Sequence, residues 1–431
     1  MNNTAPMDQR RIAIDVIDAV LRQRKSLDTV LADHREMATL NERERAFARN
    51  LIATTLRRLG QINAIIDSCL ERPLPKRART VRDILRAGIC QLLFTGVADH
   101  AAVSTAVEMT RAAGETAHVK LVNAILRRVQ RDGTGMLAGQ DAERLNTPDW
   151  LWDSWQAAYG DETCRRIAAA HLIEAPLDIS TIGDPGAWSV ALQADLLASG
   201  TLRRRTGGQV SNLAGFAKGA WWVQDTAARS VAGLLGDVAG KSVIDLCAAP
   251  GGKTAYLAAA GAHVSAVDRS EPRLRRLRDN LERLSLKAEV VVADGTEWRP
   301  REPADAVLLD APCSATGTIR RHPDLPWNKT PSDVVKLADA QMRLLTSAMD
   351  MIKPGGHVVF ATCSLQPEEG PNQLAQILAD NPEVTLDPIT DGDVPGVTES
   401  MTNSGTFRSL PCHMASDGGM DGFFACRLVR R

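Results

Sequence analysis

Hydrophobic positions recur with two different periods along this chain. From residue 10 to about residue 131 they return every three or four positions, as on one face of an α-helix. Early examples are Ile12, Val16, Ile17 and Val20. From about Gly240 onward, short apolar runs alternate with helical segments instead. The pattern predicts an all-α N-terminal domain of five to seven helices and a C-terminal α/β domain with a mostly parallel sheet.

The apolar runs of the second half locate the predicted strands. They cover residues 243–246, 264–267, 290–292, 306–309 and 358–361. A last run, 423–429, could add an edge strand. Residues 150–222 mix helical and strand-like runs, with a helix expected over 190–197, and predict a small α+β unit. We therefore expect three domains, at residues 1–140, 141–235 and 236–431.

Composition narrows the class of protein without identifying it. The chain has 431 residues, of which 44% are hydrophobic and 24% charged, and its net charge is −1. No apolar run is long enough to span a membrane. Eight cysteines include no C-x-x-C pair, which argues against a zinc knuckle and predicts no metal site. With no signal peptide recognised, we expect reduced thiols and a cytoplasmic protein.

A glycine pair follows the first predicted strand, in D-L-C-A-A-P-G-G-K-T (residues 245–254). Glycine lets the backbone approach a ligand closely, and the next helix would present free N–H groups. The spacing excludes a P-loop, because its first glycine would fall at Cys247, and G-x-G-x-x-G is also absent. An NTPase or a dinucleotide-dependent enzyme is therefore disfavoured.

Acidic residues end successive predicted strands. Asp268 is placed to hold ribose hydroxyls, and Asp294 could accept from an adenine amino group. Each aspartate alone is better explained as a turn or helix cap. Together with Asp310 and the glycine loop they favour an adenosine-containing cofactor. S-adenosyl-L-methionine fits better than a nucleotide, because no basic cradle for phosphates is evident.

Two cysteines follow predicted strands, where loops of an open α/β sheet place ligands. Cys313 lies in L-L-D-A-P-C-S-A-T-G, just after Asp310, and Cys363 lies in A-T-C-S-L-Q-P-E-E. A thiolate is a strong nucleophile, and a nearby lysine lowers the pKa of a cysteine. Lys253 is a candidate for that lysine. Cys69, Cys90, Cys164 and Cys426 are expected to be small core residues, and so is Cys247. Two thiols and one acid could form a single site.

These three motifs closely resemble those of RNA 5-methylcytosine methyltransferases, in the same order and spacing. The helical first domain resembles NusB, an RNA-binding factor, and the combination resembles the bacterial RsmB (Sun/Fmu) type, which acts on 16S rRNA. The resemblance implies a Rossmann-like methyltransferase domain, an RNA partner and S-adenosyl-L-methionine as cofactor. We expect a monomer. The middle domain departs from the family's Leu-Arg-x-Asn, with Leu177, Asp178, Ile179 and Ser180 in its place.

The resemblance also implies residue roles. It assigns the nucleophile that attacks cytosine C6 to Cys363, product release to Cys313, and base recognition to Asp310. Arg320, Arg321 and His322 are candidates for guiding RNA, although solvated charge explains any single one equally well. The residues implied for the cofactor are Cys247, Ala248, Ala249, Pro250, Gly251, Gly252, Lys253, Asp268, Asp294 and Asp310.

Three alternatives stay open at this point. A DNA cytosine methyltransferase would use the cysteine of the Pro-Cys motif, Cys313, as nucleophile, and the T-C-S motif at Cys363 argues against it. A non-catalytic RNA-binding assembly factor would carry the α/β domain as a relic. A P-loop NTPase is the least favoured.

Overall fold

Helices dominate the first part of the chain and alternate with strands in the second. The computed structural model describes residues 5–431, with side chains from residue 8. The helices are α1 (Ala5–Gln23), α2 (Leu27–Asp33), α3 (Glu42–Arg57), α4 (Leu59–Cys69), α5 (Arg79–Phe94), α6 (Asp99–Ala112), α7 (Val119–Ala138), α8 (Ala142–Leu145), α9 (Asp149–Tyr159), α10 (Asp161–His171), α11 (Gly186–Leu192), α12 (Thr226–Gly233), α13 (Gly252–Ala259), α14 (Glu271–Leu284), α15 (Leu325–Asn328), α16 (Pro331–Asp350) and α17 (Pro371–Asp380).

The strands begin only after residue 176 of the described chain. They are β1 (Leu177–Thr181), β2 (Asp195–Leu196), β3 (Leu202–Arg204), β4 (Trp221–Val223), β5 (Ser242–Leu246), β6 (His263–Asp268), β7 (Glu289–Val292), β8 (Ala304–Asp310), β9 (Ile352–Thr362), β10 (Val384–Asp387), β11 (Phe407–Ser409) and β12 (Phe423–Arg430).

The chain forms two compact units. The helical unit comprises residues up to Ile173 together with Ile319–Lys329. The sheet unit comprises Glu174–Thr318 and Thr330–Arg431. The two units divide after Ile173, so neither predicted domain boundary, at residue 140 or residue 235, falls at that division. The division into three domains stays a prediction.

The helical unit packs the apolar faces that the sequence predicts. Ile12, Val16, Ile17 and Val20 of α1 are all buried in one core with residues of α3, α5 and α7. Residues 319–329 are part of the same unit: the indole N–H of Trp327 donates to the carbonyl of Leu56 at 2.9 Å. This short segment, which interrupts the sheet unit in sequence, could not be assigned to the helical unit from its composition.

Two sheets organise the sheet unit. The smaller is antiparallel, in the order β2-β3-β1-β4. The larger has the order β10-β12-β9-β8-β5-β6-β7, with β11 paired to β12. The strands β9, β8, β5, β6 and β7 are parallel, whereas β12 runs antiparallel to β9, β10 and β11. The chain order reverses between β5 and β8, which is the topological switch point where such sheets bind ligands.

Two sequence expectations are wrong. The run 423–429 is not an edge strand: β12 lies between β9 and β10, because the short β10 pairs along its outer side. Residues 190–197 do not form one helix. α11 ends at Leu192, because Gln193 adopts a left-handed conformation with φ of 49°, and the chain then enters β2.

None of the helices among residues 5–431 combines the length and the apolar character that crossing a lipid bilayer requires.

Candidate active site

The strand register brings the predicted site residues to one edge of the large sheet. Leu246 at the end of β5 pairs with Leu309, and Asp310 at the end of β8 pairs with Ala361 of β9. Cys313 and Cys363 follow these paired positions by three and two residues. The glycine loop and both cysteine loops therefore leave the sheet side by side, at the switch point.

The loop after β5 has the backbone conformation that the glycine pair suggested. Gly251 has φ of +102°, which side chains rarely permit, and an added Cβ would lie 2.8 Å from the Leu277 side chain. Cys247 also has a positive φ, of 66°. Gly252 begins α13, and a Cβ there would meet nothing closer than 3.9 Å. Close packing thus requires glycine at residue 251, whereas residue 252 faces open space.

Two of the acids predicted to bind the cofactor accept hydrogen bonds from residues just after them in the chain. The Asp268 carboxylate accepts from the backbone N–H groups of Ala249 at 3.2 Å and Ser270 at 2.9 Å. Asp294 accepts from the backbone N–H and the hydroxyl of Thr296, and these hydrogen bonds hold the pKa of Asp294 below its ordinary value. The turn-cap explanation therefore applies to both, and Asp268 additionally orders the cofactor loop through Ala249.

Asp245 is a buried acid with spare accepting capacity. It is fully buried, and its Oδ2 accepts from the Thr254 hydroxyl at 2.6 Å, while its Oδ1 has no hydrogen-bond partner among the residues that the structure describes. Burial raises the pKa of Asp245 to about 7. Asp245 is the first residue of the motif that contains the glycine pair, and its position in the sequence indicates no role for it.

Lys253 and Asp310 form an ion pair beside the two cysteines. The Lys253 ammonium donates to Asp310 Oδ2 at 2.6 Å, and the Lys253 side chain is only 11% exposed. Burial lowers the pKa of Lys253, but the Asp310 carboxylate and the charge of Cys363 both raise it. Together they outweigh burial, so the pKa of Lys253 is raised overall. Lys253 therefore keeps its positive charge at neutral pH.

The two predicted catalytic cysteines meet. Cys313 Sγ and Cys363 Sγ lie 3.4 Å apart, and both residues are partly exposed. The hydrogen bond with Cys363 raises the pKa of the Cys313 thiol well above its usual value, and burial and nearby acids raise it further. Cys313 consequently holds its proton at neutral pH.

The other thiols behave differently from this pair. Cys90, Cys164 and Cys426 are buried, as expected for core residues, whereas Cys69 is only partly buried. Burial, followed by the neighbouring carboxylates, raises the pKa of Cys247, which leaves it a protonated thiol in the cofactor loop. Cys247 therefore lines the loop and does not compete as a nucleophile.

Three side chains are turned inward: two from the segment that departs from the family motif, and one of the candidates for guiding RNA. Asp178, one of the departures from the family motif, forms a buried two-point ion pair with Arg203, both oxygen–nitrogen distances being 2.7 Å. Ser180 is fully buried and donates to Gln224 at 2.8 Å. Arg320 is only 2% exposed. These three side chains serve packing, whereas Arg321 is exposed.

A buried acid that the sequence analysis left without a role lies beneath the cysteine loops. Glu369 is fully buried, although its neighbour Glu368 is exposed. The sequence offers no signal that separates these two consecutive glutamates. The contacts of Glu369 with Ser314 and Ser364, the residues that follow the cysteines, emerge only from the folded chain.

Comparison with known proteins agrees with this fold. A family model described as 16S rRNA methyltransferase RsmB/F matches residues 232–429, and the NusB family model matches residues 7–131. Ribosomal RNA small subunit methyltransferase B of Yersinia enterocolitica is 36% identical over 449 residues, covering 100% of both chains. Its namesake in Cronobacter sakazakii is 34% identical over 440 residues, covering 98% of both. A solved structure titled PH0851 shares the fold, with a TM-score of 0.75, 22% identity and 99% of each chain covered.

The fold and site are those of a methyltransferase that uses S-adenosyl-L-methionine. More specifically, the chain belongs to the RsmB/F family of 16S rRNA methyltransferases. The predicted family and fold class, with a NusB-like helical domain and a Rossmann-like methyltransferase domain, are confirmed. The role of each predicted site residue stays a prediction.

The residues of the loop after β5 fit this cofactor. Asp245, Asp268 and Asp310 surround it with carboxylates, and Asp245 Oδ1 still lacks a donor. Such a set of acceptors suits a ligand that carries a positive sulfonium, an ammonium and hydroxyl donors, and it would repel phosphates. Among the described residues, no group of three or more histidine, cysteine or acidic side chains is arranged to hold a metal ion.

Proposed function

We propose that this protein transfers a methyl group from S-adenosyl-L-methionine to C5 of a cytosine in 16S rRNA, through a covalent bond between Cys363 Sγ and C6 of the base. The observation that carries the proposal is the meeting of two thiols, 3.4 Å apart, beside the Lys253–Asp310 pair. The name of the relatives, ribosomal RNA small subunit methyltransferase B, supports the choice of RNA.

The chemistry requires a nucleophile because C5 of cytosine is unreactive on its own. Attack of a Cys363 thiolate on C6 makes C5 enamine-like, so that it can accept the methyl group. The cofactor supplies that methyl group when it is bound. Loss of the C5 proton then lets the Cys363–C6 bond break and restores the aromatic base.

The raised pKa of Cys313 favours this assignment of roles. A thiol that keeps its proton at neutral pH is a poor nucleophile, so Cys313 is the weaker candidate for attack on C6. Its position beside Cys363 suits removal of the C5 proton, directly or through a water molecule. The reversed assignment, with Cys313 as nucleophile, is the arrangement expected of a DNA cytosine methyltransferase.

The Lys253–Asp310 pair would recognise the base. The Asp310 carboxylate can accept a hydrogen bond from the cytosine amino group, and it can accept a second one from the ring nitrogen N3 once that nitrogen has gained a proton. Negative charge develops at that edge of the ring as the thiolate attacks. Lys253, 2.6 Å from Asp310, places a positive charge where it stabilises this charge.

The base has to leave its stack to reach the thiols. The substrate is therefore a loop or an unpaired segment of rRNA. We further propose a cytoplasmic, monomeric enzyme that needs no metal ion.

The experiment is transfer of labelled methyl from S-adenosyl-L-methionine to protein-free 16S rRNA, with the position of label determined. Wild type should label C5 of cytosine, Cys363→Ala should neither label RNA nor form an adduct, and Cys313→Ala should accumulate a covalent protein–RNA adduct on denaturing gels. Cys69→Ala, in the helical unit, is the matched control and should behave as wild type.

Other outcomes would point elsewhere. Adduct with Cys363→Ala but none with Cys313→Ala would reverse the roles. Methylation of DNA in preference to RNA would support the DNA enzyme. Tight cofactor binding without transfer to any RNA would indicate a non-catalytic assembly factor.

A further inference from the structure

One buried carboxylate bonds to both cysteine loops. Glu369 Oε2 accepts from the hydroxyls of Ser314 and Ser364, each at 2.5 Å, and Glu369 Oε1 accepts from the backbone N–H of Ser314 at 2.8 Å. These serines directly follow Cys313 and Cys363 in sequence. A single side chain thus connects the two loops at the residues next to the thiols.

The residues that precede the cysteines belong to the same network. The Gln341 amide of α16 donates to Glu369 Oε1 at 3.1 Å and to the Pro312 carbonyl at 2.9 Å. The Thr362 hydroxyl donates to the Glu369 backbone carbonyl at 2.8 Å. Each cysteine is therefore held on both sides, and every one of these bonds leads to Glu369 or to its partner Gln341.

The network satisfies a buried charge completely. An ionised carboxylate only accepts hydrogen bonds, and Glu369 receives four donors. Burial raises the pKa of Glu369 overall, and the hydrogen bonds from Ser314 and Ser364 offset part of that rise. Because buried polar groups without partners are costly, any separation of the loops would break bonds that water cannot replace. The 3.4 Å spacing of the thiols is thus set through their neighbours.

We propose that Glu369 is a positioning residue for the methyl-transfer reaction: it holds the Cys313 and Cys363 loops together so that both thiols reach one base. This inference rests on the proposed function for its catalytic consequence, but the positioning itself is measurable without RNA. The substitutions Glu369→Ala and Glu369→Gln separate the two effects of the side chain. Glutamine can accept from Ser314 N–H and Gln341 while its amide donates to the two serine hydroxyls, so it preserves the connection without the charge.

The first test measures thiol proximity alone. Diamide oxidises the Cys313 and Cys363 thiols to a disulfide, and the two electrons and two protons reduce its N=N bond to the hydrazine. The rate is followed by mass spectrometry of non-reduced peptides. We expect Glu369→Ala to slow this reaction by about ten-fold or more and Glu369→Gln to stay close to wild type, because reaction rates fall steeply when groups lose their alignment. Glu368→Ala, at the exposed neighbouring position, is the matched control and should match wild type.

The second test measures catalysis. Glu369→Ala should lower kcat for methyl transfer by about 10²-fold, the effect of a displacement of roughly 1 Å. Its KM for RNA and its affinity for S-adenosyl-L-methionine should not change, since the cofactor loop is not part of the network. Glu369→Gln should restore most of the lost kcat.

The outcomes separate this inference from the proposed function. An unchanged diamide rate in Glu369→Ala, or a glutamine variant as slow as the alanine variant, would overturn the positioning role even if wild type methylates RNA. If wild type methylates no RNA, the diamide rates still decide the positioning role. If Glu369→Ala does not fold, as shown by lost cofactor binding, Ser364→Ala takes its place: slower disulfide formation would support the role, and an unchanged rate would overturn it.

Discussion

Gly317, in the loop that carries Cys313, offers a sharp test of how closely the site is packed. A Cβ at this position would lie 2.0 Å from the carbonyl oxygen of Gly422 and 2.6 Å from its carbonyl carbon. Real Cβ atoms essentially never approach other atoms within 3.0 Å. Alanine at residue 317 would therefore force the two backbone segments apart by about 1 Å, because neither obstacle is a flexible side chain.

This displacement would pass directly to the nucleophile's loop. The Gly317 N–H donates to the Cys363 carbonyl at 2.9 Å, and the Gly422 N–H donates to the Gly317 carbonyl at 2.8 Å. Two hydrogen bonds worth about 1 kcal/mol each, together with overpacking of about 1–3 kcal/mol, give a loss of roughly 3–5 kcal/mol in unfolding free energy. A shift of about 1 Å at a reacting group lowers the rate by about 10²-fold.

Two assays check these numbers. Urea unfolding gives the change in stability, and single-turnover methyl transfer to 16S rRNA gives the change in rate at saturating cofactor. Gly207→Ala is the matched control, because residue 207 is exposed, has no positive φ and would place its Cβ in open space. If Gly317→Ala loses less than about 1 kcal/mol and keeps its rate within two-fold, the inferred contact with Gly422 is not one that the protein maintains.

Three further predictions concern buried charges and thiols. Asp178→Ala should cost about 3–5 kcal/mol in urea unfolding, because it leaves the fully buried Arg203 guanidinium without its partner. Cys363→Ser should speed alkylation of Cys313 by iodoacetamide at pH 8, since it removes the thiol that most raises the pKa of Cys313. Asp245→Asn should flatten the loss of stability between pH 5 and pH 8 in the cofactor-free protein, measured by thermal unfolding. With its pKa raised to about 7, Asp245 binds its proton more tightly in the folded protein than in the unfolded chain. Its contribution to the free energy of unfolding is therefore full below about pH 4 and is lost as the pH rises through 7.

Each of these has a control in the chain. Asp195→Ala breaks an exposed ion pair with Arg205 and should change stability by less than about 1 kcal/mol. If Asp178→Ala matches it, the Arg203 pair contributes nothing beyond a surface contact. An equal alkylation rate in wild type and Cys363→Ser would contradict the coupling of the two thiols. Equal pH slopes in wild type and Asp245→Asn would contradict the raised pKa of Asp245.

Buried parallel strands were the most predictable part of the fold. The apolar runs at β5, β6 and β8 match these strands to within two residues at their ends, because strands covered on both faces have little room for polar residues. The run at β9 marks only its buried second half, since the strand begins six residues earlier, and the run at β7 matches a strand that is only partly buried. The leucines that recur at helical spacing in α14 are also buried. The spacing of apolar residues reflects which side chains are buried. It therefore predicts a helix or strand correctly wherever burial determines the sequence of that element.

Pairing between distant strands was not predictable. Nothing in the run 423–429 indicates that β10, forty residues earlier, would cover its outer side. Nor does the composition of residues 319–329 reveal that they belong with the helical unit, where Asp324 accepts from the backbone N–H of Leu27 at 3.0 Å. Both outcomes depend on contacts between segments far apart in sequence, which a local pattern does not contain.

The residues of the site also include some that the sequence predicts and one that it does not. The residues whose chemistry is unusual for a loop, Cys313 and Cys363, could be chosen from the sequence, and the register of β8 and β9 explains why they meet. Glu369 could not be chosen, because an acid beside another acid is ordinarily solvated. Its importance comes from burial and from four donors, and both exist only in the folded protein.

The coupling of the two thiols also suggests why the proposed reaction would use a second cysteine instead of a stronger permanent base. In the free protein, the hydrogen bond to Cys363 is the largest of the causes that raise the pKa of Cys313, and the charge of Cys363 is another. Once Cys363 is bonded to C6 as a thioether, it carries no charge and offers only a weak acceptor, so both causes disappear. Cys313 would then release its proton more readily at the stage when the C5 proton has to be removed. A thiol held neutral until its partner has reacted cannot compete for C6 beforehand, and it becomes a base because the first step has occurred.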